Sequence, residues 1–369
     1  MQIQLEMKNK IDQLKSMMHL VPFLVFSILM LCKGPQVIVA QESNPNDKVM
    51  FVQSKEKQAV DVYIDGDYFT SYRYEKEWKK PVLFPLLTKS GKKLTRGYPI
   101  DPQPGERYDH PHHVGFWFNY GDVNGLDFWN NSSQRSSAQK NKYGEILHEA
   151  IVAMQSDEAQ GVLEVSANWV KADGEVLLKE ETTFTFKESG TTRVIDRETK
   201  LSALMDVTFA DNKEGMVGVR VAKELEFPIR KPTSLLNEHA LANDHKTVDT
   251  MVRTGNYLSS EGNTGKEVWS TRATWMQLDG QIGGNPVALV LIDHPDNVGY
   301  PTYWHARDYG LFAANPLGQK VFTKGEKELN FRLEKGKSVT FNYRLLVHEG
   351  DPLLAQEINV LQKEFSGRK

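Results

Sequence analysis

A short histidine-rich stretch, about one third of the way along the chain, carries the residue types best suited to chemistry. Residues 107–118 place three of the ten histidines, His110, His112 and His113, within four positions and close to Arg107. Imidazole exchanges protons near neutral pH, and a guanidinium group binds anionic or hydroxyl-rich groups. The stretch therefore predicts a site for acid/base chemistry at a bound substrate.

A second cluster of similar residue types lies almost two hundred residues downstream. Within residues 293–310 its candidate site residues are His294, Trp304, His305, Arg307 and Asp308. We interpret the two clusters as halves of one composite site. The prediction is spatial: the histidines of the first stretch should lie within one pocket's width of His305 and Arg307.

The histidine spacing is compatible with a divalent-metal site. In a strand, residues i and i+2 share a face, so His110 and His112 would point together and His113 would point away. Pro111 weakens this arrangement, because it favours a turn at His110 before the strand begins. Further metal ligands would have to come from elsewhere in the chain, and the candidates are Glu145, His148 and His305.

Two metal-free interpretations of the histidines stay open. In the first, protons are donated and accepted at a bound substrate, with His110, His112, His305 and Asp308 as the catalytic groups. In the second, the histidines only satisfy buried backbone groups around Pro111. Replacing His112 and His305 by Ala would separate the two, because a structural role would lower stability without affecting ligand binding.

Aromatic residues around both clusters indicate a carbohydrate ligand. Trp117, Trp129 and Trp304 offer flat faces on which the C–H face of a sugar ring can stack. Polar side chains that would bind the substrate accompany them, namely Arg107, His113, Asp127, His294 and Arg307. The alternative is that the rings belong to the core, where large aromatic residues dominate burial.

The N-terminal segment predicts export. Three lysines precede an apolar run over 20–32 that is too short for a comfortable membrane span, and a candidate cleavage site follows at Ala40. We predict a signal peptide over 1–40, a polar linker over 41–55 and a single domain over 56–369. No later segment has the roughly eighteen consecutive apolar residues of a membrane helix, so we expect a periplasmic or secreted protein without membrane insertion after leader removal.

Composition argues against several other functions. The 369 residues carry 45 basic and 48 acidic side chains without a long block of either sign, so we expect no nucleic-acid partner. Cys32, the only cysteine, lies in the leader, which leaves the mature chain without disulfides or thiolate chemistry. The sequence also lacks the usual phosphate-binding, dinucleotide-binding and serine-esterase motifs.

Short segments of alternating polarity, bounded by Gly, Asp and Asn, predict an all-β fold. Asp65-Gly66 marks a hairpin turn between two of them. A dozen or so such segments favour one large antiparallel β-sandwich. We also expect an edge strand over 81–86, a short helical piece over 235–243 and an amphipathic C-terminal helix over 353–365.

Several motifs, in order along the chain, carry a family resemblance. They are Gly-Tyr-Pro at 97–99, the histidine stretch at 105–117, the segment at 123–129, the segment at 215–220 and the cluster from 294 to 318. Together they resemble the PmoA-like family of secreted bacterial proteins. The resemblance implies a β-sandwich of the galactose-mutarotase type, in proteins of bacteria that degrade complex glycans. The label "methane oxygenase" often attached to that family does not fit, because a membrane monooxygenase subunit needs several spanning helices.

The leading hypothesis is a periplasmic carbohydrate-active enzyme that acts on a sugar or glycan fragment by histidine and carboxylate acid/base chemistry. Hydrolysis, elimination and epimerisation are the reactions considered. Two alternatives stay open. One is a non-catalytic glycan-binding β-sandwich, and the other is a metal-dependent hydrolase or lyase that uses His110 and His112.

Overall fold

The computed structural model describes residues 47–228, 233–242, 246–247 and 252–367, so the predicted signal peptide lies outside the described residues. The strands of the first half are β1 (Val49–Ser54), β2 (Ala59–Ile64), β3 (Asp67–Arg73), β4 (Val82–Leu83), β5 (Phe116–Phe118), β6 (Glu145–Ser156), β7 (Gln160–Val170), β8 (Val176–Ser189), β9 (Thr192–Ala203) and β10 (Val207–Phe209). The remaining strands are β11 (Val217–Arg220), β12 (Thr233–Ser234), β13 (Lys246–Thr247), β14 (Asn256–Ser259), β15 (Trp275–Ile282), β16 (Asn285–Asp293), β17 (Tyr303–Ala306), β18 (Leu311–Asn315), β19 (Phe331–Leu333) and β20 (Ser338–Glu349). Helix α1 spans Ala355–Ser366, and 3₁₀ turns span Lys76–Trp78, Ser137–Lys142, Lys223–Leu225 and Gly265–Val268.

Two eight-stranded antiparallel sheets contain most of these strands. The first sheet has the order β1-β2-β3-β4-β5-β11-β18-β17, and the second has the order β14-β15-β16-β20-β9-β8-β7-β6. The described residues belong to one compact unit. The prediction of a large antiparallel β-sandwich with a C-terminal helix is confirmed.

One apolar core fills the space between the two sheets. Phe116 and Phe118 of β5 point into it from the first sheet, and Ile195 and Leu345 point into it from the second. The intervening residues of each strand point to the outer face, as the two-residue period of a strand requires. This alternation decides which candidate site residues can reach a ligand.

Each sheet also buries a smaller cluster on its other side. On the first sheet this surface, called here the first outer face, includes Trp117, Trp129, Leu311 and Ala313. On the second sheet it is called the second outer face, and helix α1 covers it with Ile358 and Phe365, which pack against Trp275, Val290, Ile292 and Leu346.

The N-terminal strands include one part of the predicted linker. Strand β1 pairs with β2 over its whole length and Val49 is buried, so the linker prediction is wrong for residues 49–54. The predicted hairpin is present: Ile64 lies opposite Asp67, and Asp65 and Gly66 have φ angles of 52° and 84°. Two residues of positive φ suit a tight hairpin turn.

Two local predictions are wrong. Strand β4 pairs with both β3 and β5 and therefore lies inside the sheet, because its paired residues, Val82 and Leu83, stand between the two prolines rather than at them. Residues 235–242 contain turns and no helix, since Leu235 forms a β-bridge with Arg107.

Among the described residues, no helix is long and apolar enough to cross a membrane.

Candidate functional site

The three neighbouring histidines lie on a tight turn before strand β5. The amide of His113 donates to the carbonyl of His110 at 3.0 Å, and His110 has a φ of 46°. Gly115 follows with a φ of 58°, and a Cβ there would lie 2.2 Å from the carbonyl oxygen of Leu83. The strand-like alternation predicted for His110, His112 and His113 is therefore wrong, because the chain turns before it enters the sheet.

A buried arginine holds this turn in place. The guanidinium of Arg96 donates four hydrogen bonds of 2.8 to 3.1 Å to main-chain carbonyls, those of Arg107, Asp109, His110 and His113. Its charge is balanced by the Asp109 carboxylate, which lies 3.1 Å from Nη1. Charge-assisted hydrogen bonds thus replace strand pairing in fixing the histidines.

The Asp109 carboxylate joins the turn to the sheet. Its Oδ1 accepts from Nη2 of Arg220 at 2.9 Å and lies 3.3 Å from Nδ1 of His110. Burial alone would raise the pKa of this carboxyl, but the hydrogen bond from His110 and the charges of Arg220 and Arg96 outweigh it and hold the pKa well below its usual range. Asp109 is therefore an anion that orients the His110 ring.

Four rings stack from the site into the sheet. Tyr309, His110, His113 and Trp117 follow one another with centroids 5.0, 4.9 and 5.3 Å apart and interplanar angles of 1°, 4° and 15°. Tyr309 lies between β17 and β18, in the second sequence cluster. The stack therefore brings the two clusters into direct contact.

Two donor groups flank the ring of His113 within this stack. Its Nε2 accepts from Nε1 of Trp129 at 3.2 Å, and its Nδ1 lies 3.4 Å from Nη1 of Arg220. Burial lowers the pKa of His113 well below its usual value, and the charges of His112 and Arg220 lower it further. His113 is a neutral ring that positions its neighbours, and its predicted role in substrate binding stays a prediction.

His112 has a different environment. It is only 5% exposed, yet neither ring nitrogen has a hydrogen-bond partner in the described part of the chain. Burial lowers its pKa well below the usual value, and the charge of Lys80 adds to the effect. Because buried polar groups are ordinarily satisfied, a neutral imidazole with an unused donor and acceptor is a candidate for proton transfer.

Lys80 lies beside His112 and was not predicted. Its Nζ donates to the carbonyl of His112 at 2.7 Å and lies 5.6 Å from the ring centroid of Trp117. Burial lowers the pKa of Lys80 to about 7, although the nearby Asp127 acts in the opposite direction. This amine changes charge near neutral pH, and nothing in the surrounding sequence distinguishes it from a solvated lysine.

One row of paired residues crosses the first outer face. Trp117 lies opposite Gly218, Gly218 opposite Ala313, and Ala313 opposite His305. A Cβ on Gly218 would lie 2.8 Å from Cζ2 of Trp117, so the indole ring lies directly over the glycine. The row places His305 on the same face as the histidine turn, with small residues between them.

The geometry of His305 defines its tautomer. Its Nδ1 lies 3.1 Å from the carbonyl oxygen of Lys213 and 3.6 Å from Oε2 of Glu214. Because a carbonyl only accepts, Nδ1 carries the hydrogen and Nε2 is left as an acceptor. Burial lowers the pKa of His305 to about 3, and the charges of Lys213 and Arg307 contribute.

The ring of Tyr309 lies between Arg307 and the histidine turn. Its guanidinium carbon is 5.7 Å from the ring centroids of both Trp269 and Tyr309, and Tyr309 stacks on His110. Arg307 also lines a cavity of about 220 Å³ that borders Trp269 and Asp308. Tyr309 thus contacts both Arg307 and His110, and the single pocket of the composite-site hypothesis stays a prediction.

The two predicted carboxylates have separate settings. Oδ2 of Asp308 lies 2.7 Å from Nζ of Lys266 at the rim of that cavity, so its predicted catalytic role is not supported by a contact with an imidazole. Oδ1 of Asp127 accepts from the amides of Trp129 and Asn130 at 2.9 and 2.8 Å. Burial raises the pKa of Asp127, and its role is to hold the loop that carries Trp129.

Arg107 belongs to a buried charge network. Its Nε donates to Oε2 of Glu226 at 2.9 Å, and Nη1 of Arg253 donates to the same oxygen at 2.8 Å. Glu226 is buried, so removing Arg107 would weaken the compensation of its charge. These contacts give Arg107 a structural role, and its predicted role in substrate binding stays a prediction.

The tryptophans predicted as stacking platforms are buried. Trp304 lies in the core between the sheets, and its Nε1 donates to the carbonyl of Ala273 at 3.0 Å. Trp117 and Trp129 are covered within the first outer face. Strand alternation sends His305 outward and Trp304 inward, so the stacking prediction is wrong for Trp304, and neither of the other two has a free face.

The contacts of His294 are with residues outside the histidine turn. It packs edge-on against Phe365 of α1, with centroids 5.0 Å apart, and its Nδ1 accepts from the amide of Asp296 at 3.2 Å. It therefore lies with the second outer face, beyond β16. His294 does not join the histidine turn, because β16 belongs to the opposite sheet from β17, and its predicted role in substrate binding stays a prediction.

The described residues do not assemble the predicted metal ligands. No group of three or more His, Cys, Asp or Glu side chains in these ranges is arranged to hold a metal. The candidate completing ligands have other contacts: Glu145 pairs with Lys79 at 3.0 Å, and Nδ1 of His148 lies 3.1 Å from the hydroxyl of Tyr72. The His110 and His112 pair therefore lacks a third ligand from this set.

Fold and site together define a class, a large antiparallel β-sandwich with a histidine and arginine site on the outer face of one sheet. Residues 59–362 match the model of a family of unknown function, DUF6807, and the chain belongs to that family. No curated protein matches the chain. The resemblance to the PmoA-like family stays a prediction, since the matching model has a different description.

Solved structures with a similar arrangement include carbohydrate-active proteins. An α-galactosidase variant from Geobacillus stearothermophilus, in complex with stachyose, has 10% identity and a TM-score of 0.36 over 84% of this chain and 41% of that chain. A galactose 1-epimerase from Lactobacillus acidophilus NCFM has 9% identity and a TM-score of 0.34 over 82% of this chain and 99% of that chain. A putative aldose 1-epimerase from Escherichia coli K12 has 8% identity, the same TM-score of 0.34, and the same coverage of 82% and 99%.

The chain spans 40–42% of the length of the α-galactosidases that it matches. All these TM-scores lie at or below 0.38. The comparisons therefore support no residue assignment in this chain.

Proposed function

We propose that the protein is an exported carbohydrate-active enzyme and that imidazole acid/base chemistry on the first outer face transforms a sugar or glycan fragment. The observation that carries the proposal is His112, a buried and neutral imidazole whose two ring nitrogens have no partner among the described residues. Lys80, with a pKa of about 7, donates to its carbonyl. Lys80 is the member of this pair whose pKa lies near neutral pH, and the neutral ring of His112 offers a donor and an acceptor through which a proton can pass.

The surroundings of Arg307 support a sugar as the substrate. Trp269 and Tyr309 are half-buried and offer aromatic faces near the histidine turn. Nε1 of Trp269 is a buried donor without a partner in the described ranges, and the cavity of about 220 Å³ lies beside it. A sugar requires aromatic rings on which its C–H face can stack and hydrogen-bond donors that can bind its hydroxyl groups. The named neighbours act on sugars as well, but the proposal rests on these residues.

Proton abstraction suits the site better than double-carboxylate hydrolysis. Glycosidases of the usual kind place two carboxylates on either side of the scissile bond. Here Asp109 is held by Arg96 and Arg220, and Asp127 by main-chain amides. Lys80, with a pKa of about 7, would take up the proton from the substrate, His112 would pass it through its unused donor and acceptor, and Nε2 of His305 offers a second acceptor. We therefore favour epimerisation or elimination.

A non-catalytic glycan-binding role is the second candidate. The cavity beside Trp269 and Arg307 would bind a sugar without any contribution from His112. Export, the remaining part of the proposal, is supported by the apolar leader, and the N-terminus of the protein recovered from its native host would test it.

The test is an NMR assay of the mature chain with mono- and oligosaccharides in D₂O. Turnover would appear as C–H exchange, epimerisation or a new double bond. His112→Gln should slow it by about 100-fold or more. His294→Gln is the matched control, because His294 packs against α1. Turnover by this variant should be unchanged. Binding without turnover would favour the second candidate, and turnover independent of His112 would contradict the proposed site.

A further inference from the structure

Arg307 differs from the other arginines around the histidine turn, because no acceptor for it occurs among the described residues. Arg96 and Arg220 pair with Asp109, and Arg107 pairs with Glu226. For the guanidinium of Arg307, no hydrogen bond to an acceptor and no ion pair occurs among the described residues. Its interactions there are with the ring faces of Trp269 and Tyr309.

The contacts with two rings position the guanidinium of Arg307 but do not use its N–H donors. A cation within about 6 Å of a ring centroid is attracted to the face of the ring. The N–H donors point in the plane of the guanidinium, so ring contacts leave them available. A planar fork of donors matches a carboxylate or a sulfate with two parallel hydrogen bonds.

The charges around Arg307 also favour an anion. The cavity of about 220 Å³ has two cations, Arg307 and Lys266, and one anion, Asp308, in its lining. Lys266 and Asp308 pair with each other at 2.7 Å, which leaves the charge of Arg307 in excess. On the other side, Lys213 lies close enough for its pKa to be lowered, first by burial and then by the charge of Arg307.

We propose that Arg307 binds the anionic group of an acidic sugar, a uronate carboxylate or a sulfate ester, and thereby selects acidic over neutral substrates. The proposal rests on the proposed function, because it assigns the substrate class of the same site. The sugar ring would lie against Trp269 or Tyr309. The reacting carbon of the sugar would then point toward the histidine turn, on the other side of the Tyr309 ring from Arg307.

A matched set of ligands tests this assignment. Isothermal titration with galactose, galacturonate and galactose 6-sulfate, and with glucose and glucuronate, compares neutral and anionic sugars of the same configuration. The uronates and the sulfate distinguish the two anionic groups. We expect acidic sugars to bind at least about tenfold more tightly than their neutral counterparts, because charge-assisted hydrogen bonds are the strong ones. The preference should fall at high salt.

Three variants separate Arg307 from the general charge of the cavity. Arg307→Gln should weaken acidic sugars by about tenfold to a hundredfold, and neutral sugars much less. Arg307→Lys keeps the charge without the planar fork and should recover only part of the affinity. Lys266→Gln removes a charge already paired with Asp308, and should change affinity by less than about fivefold.

The outcomes distinguish this inference from the proposed function. Turnover of neutral sugars without a preference for acidic ones would overturn the assignment of Arg307. The proposed enzymatic function would still stand. Arg307-dependent binding of acidic sugars without turnover of any of them would support the assignment and reject catalysis. Acidic sugars that bind equally well to Arg307→Gln, or that do not bind at all, would overturn it.

Discussion

The two outer faces of the sandwich use similar residue types in opposite ways. On the second outer face, Arg344 donates to both oxygens of Asp196 at 2.5 and 2.8 Å, and its guanidinium carbon lies 4.8 Å from the ring of Phe365. On the first outer face, His112 and Arg307 keep donors or acceptors unused within the described residues.

This difference separates structural polar groups from candidate functional ones. Helix α1 excludes water from its face, and a buried polar group left unpaired there would cost about 1–3 kcal/mol. The first outer face is covered by a turn and loops instead of a helix. The unpaired ring nitrogens of His112 carry that same cost, which a folding role alone does not require. The same residue types thus stabilise one face and form the candidate site on the other.

Acidification should destabilise the first outer face before the second. Burial lowers the pKa of His112, His113 and His305, in the last case from 6.5 to about 3. As the pH falls below 6.5, the unfolded chain binds protons that the folded chain does not. Stability should then fall by about 1.4 kcal/mol per pH unit for each histidine that stays neutral. The loss should end as each folded-state pKa is passed.

The second outer face should respond in a lower pH window. Despite its burial, Asp196 has its pKa lowered from 3.8 by Arg344, so its contribution is present above 3.8 and is lost below it. Urea unfolding at several pH values between 7 and 3 would resolve the two windows. His112→Gln should make the upper slope shallower, and a flat profile between pH 6.5 and 4 would contradict the assignment of neutral histidines.

Removing one carboxylate from each face should give unequal losses of stability. Asp196→Asn leaves Arg344 buried without its charge partner and should cost about 3–5 kcal/mol. Asp109→Asn should cost less, about 1–3 kcal/mol, because Arg96 keeps its main-chain acceptors. Urea unfolding measures both. Turnover should fall in Asp109→Asn, where His110 loses its orienting anion, and persist in Asp196→Asn; the reverse pattern would contradict the comparison.

A smaller effect is expected in the row that connects Trp117 with His305. Gly218→Ala would place a methyl group 2.8 Å from Cζ2 of Trp117, so the ring must shift, at a cost of about 1–3 kcal/mol. Ala313→Gly, in the same row, makes the opposite change and should cost about 0.5–1 kcal/mol. Thermal unfolding measures both, and equal losses would show that the indole does not rest on the glycine.

The sandwich, the Asp65-Gly66 hairpin and the C-terminal helix could be predicted because their signals are local. Alternation with period two and the apolar stripe of α1 lie within segments of a few residues. The two clusters that build the site were also visible, as unusual densities of histidine, aromatic residues and arginine. Arg96, Arg220 and Lys80 were not, because single cations in β segments resemble solvated side chains.

The sequence by itself determined the fold class and which two stretches would meet. Tertiary structure decided which residues of those stretches face the candidate site. Trp304 and His305 are neighbours in sequence, yet one enters the core and the other the first outer face, because strand register sets the direction of each side chain. The pKa of Lys80 and the unpaired nitrogens of His112 likewise depend on burial by distant segments, which no local pattern encodes.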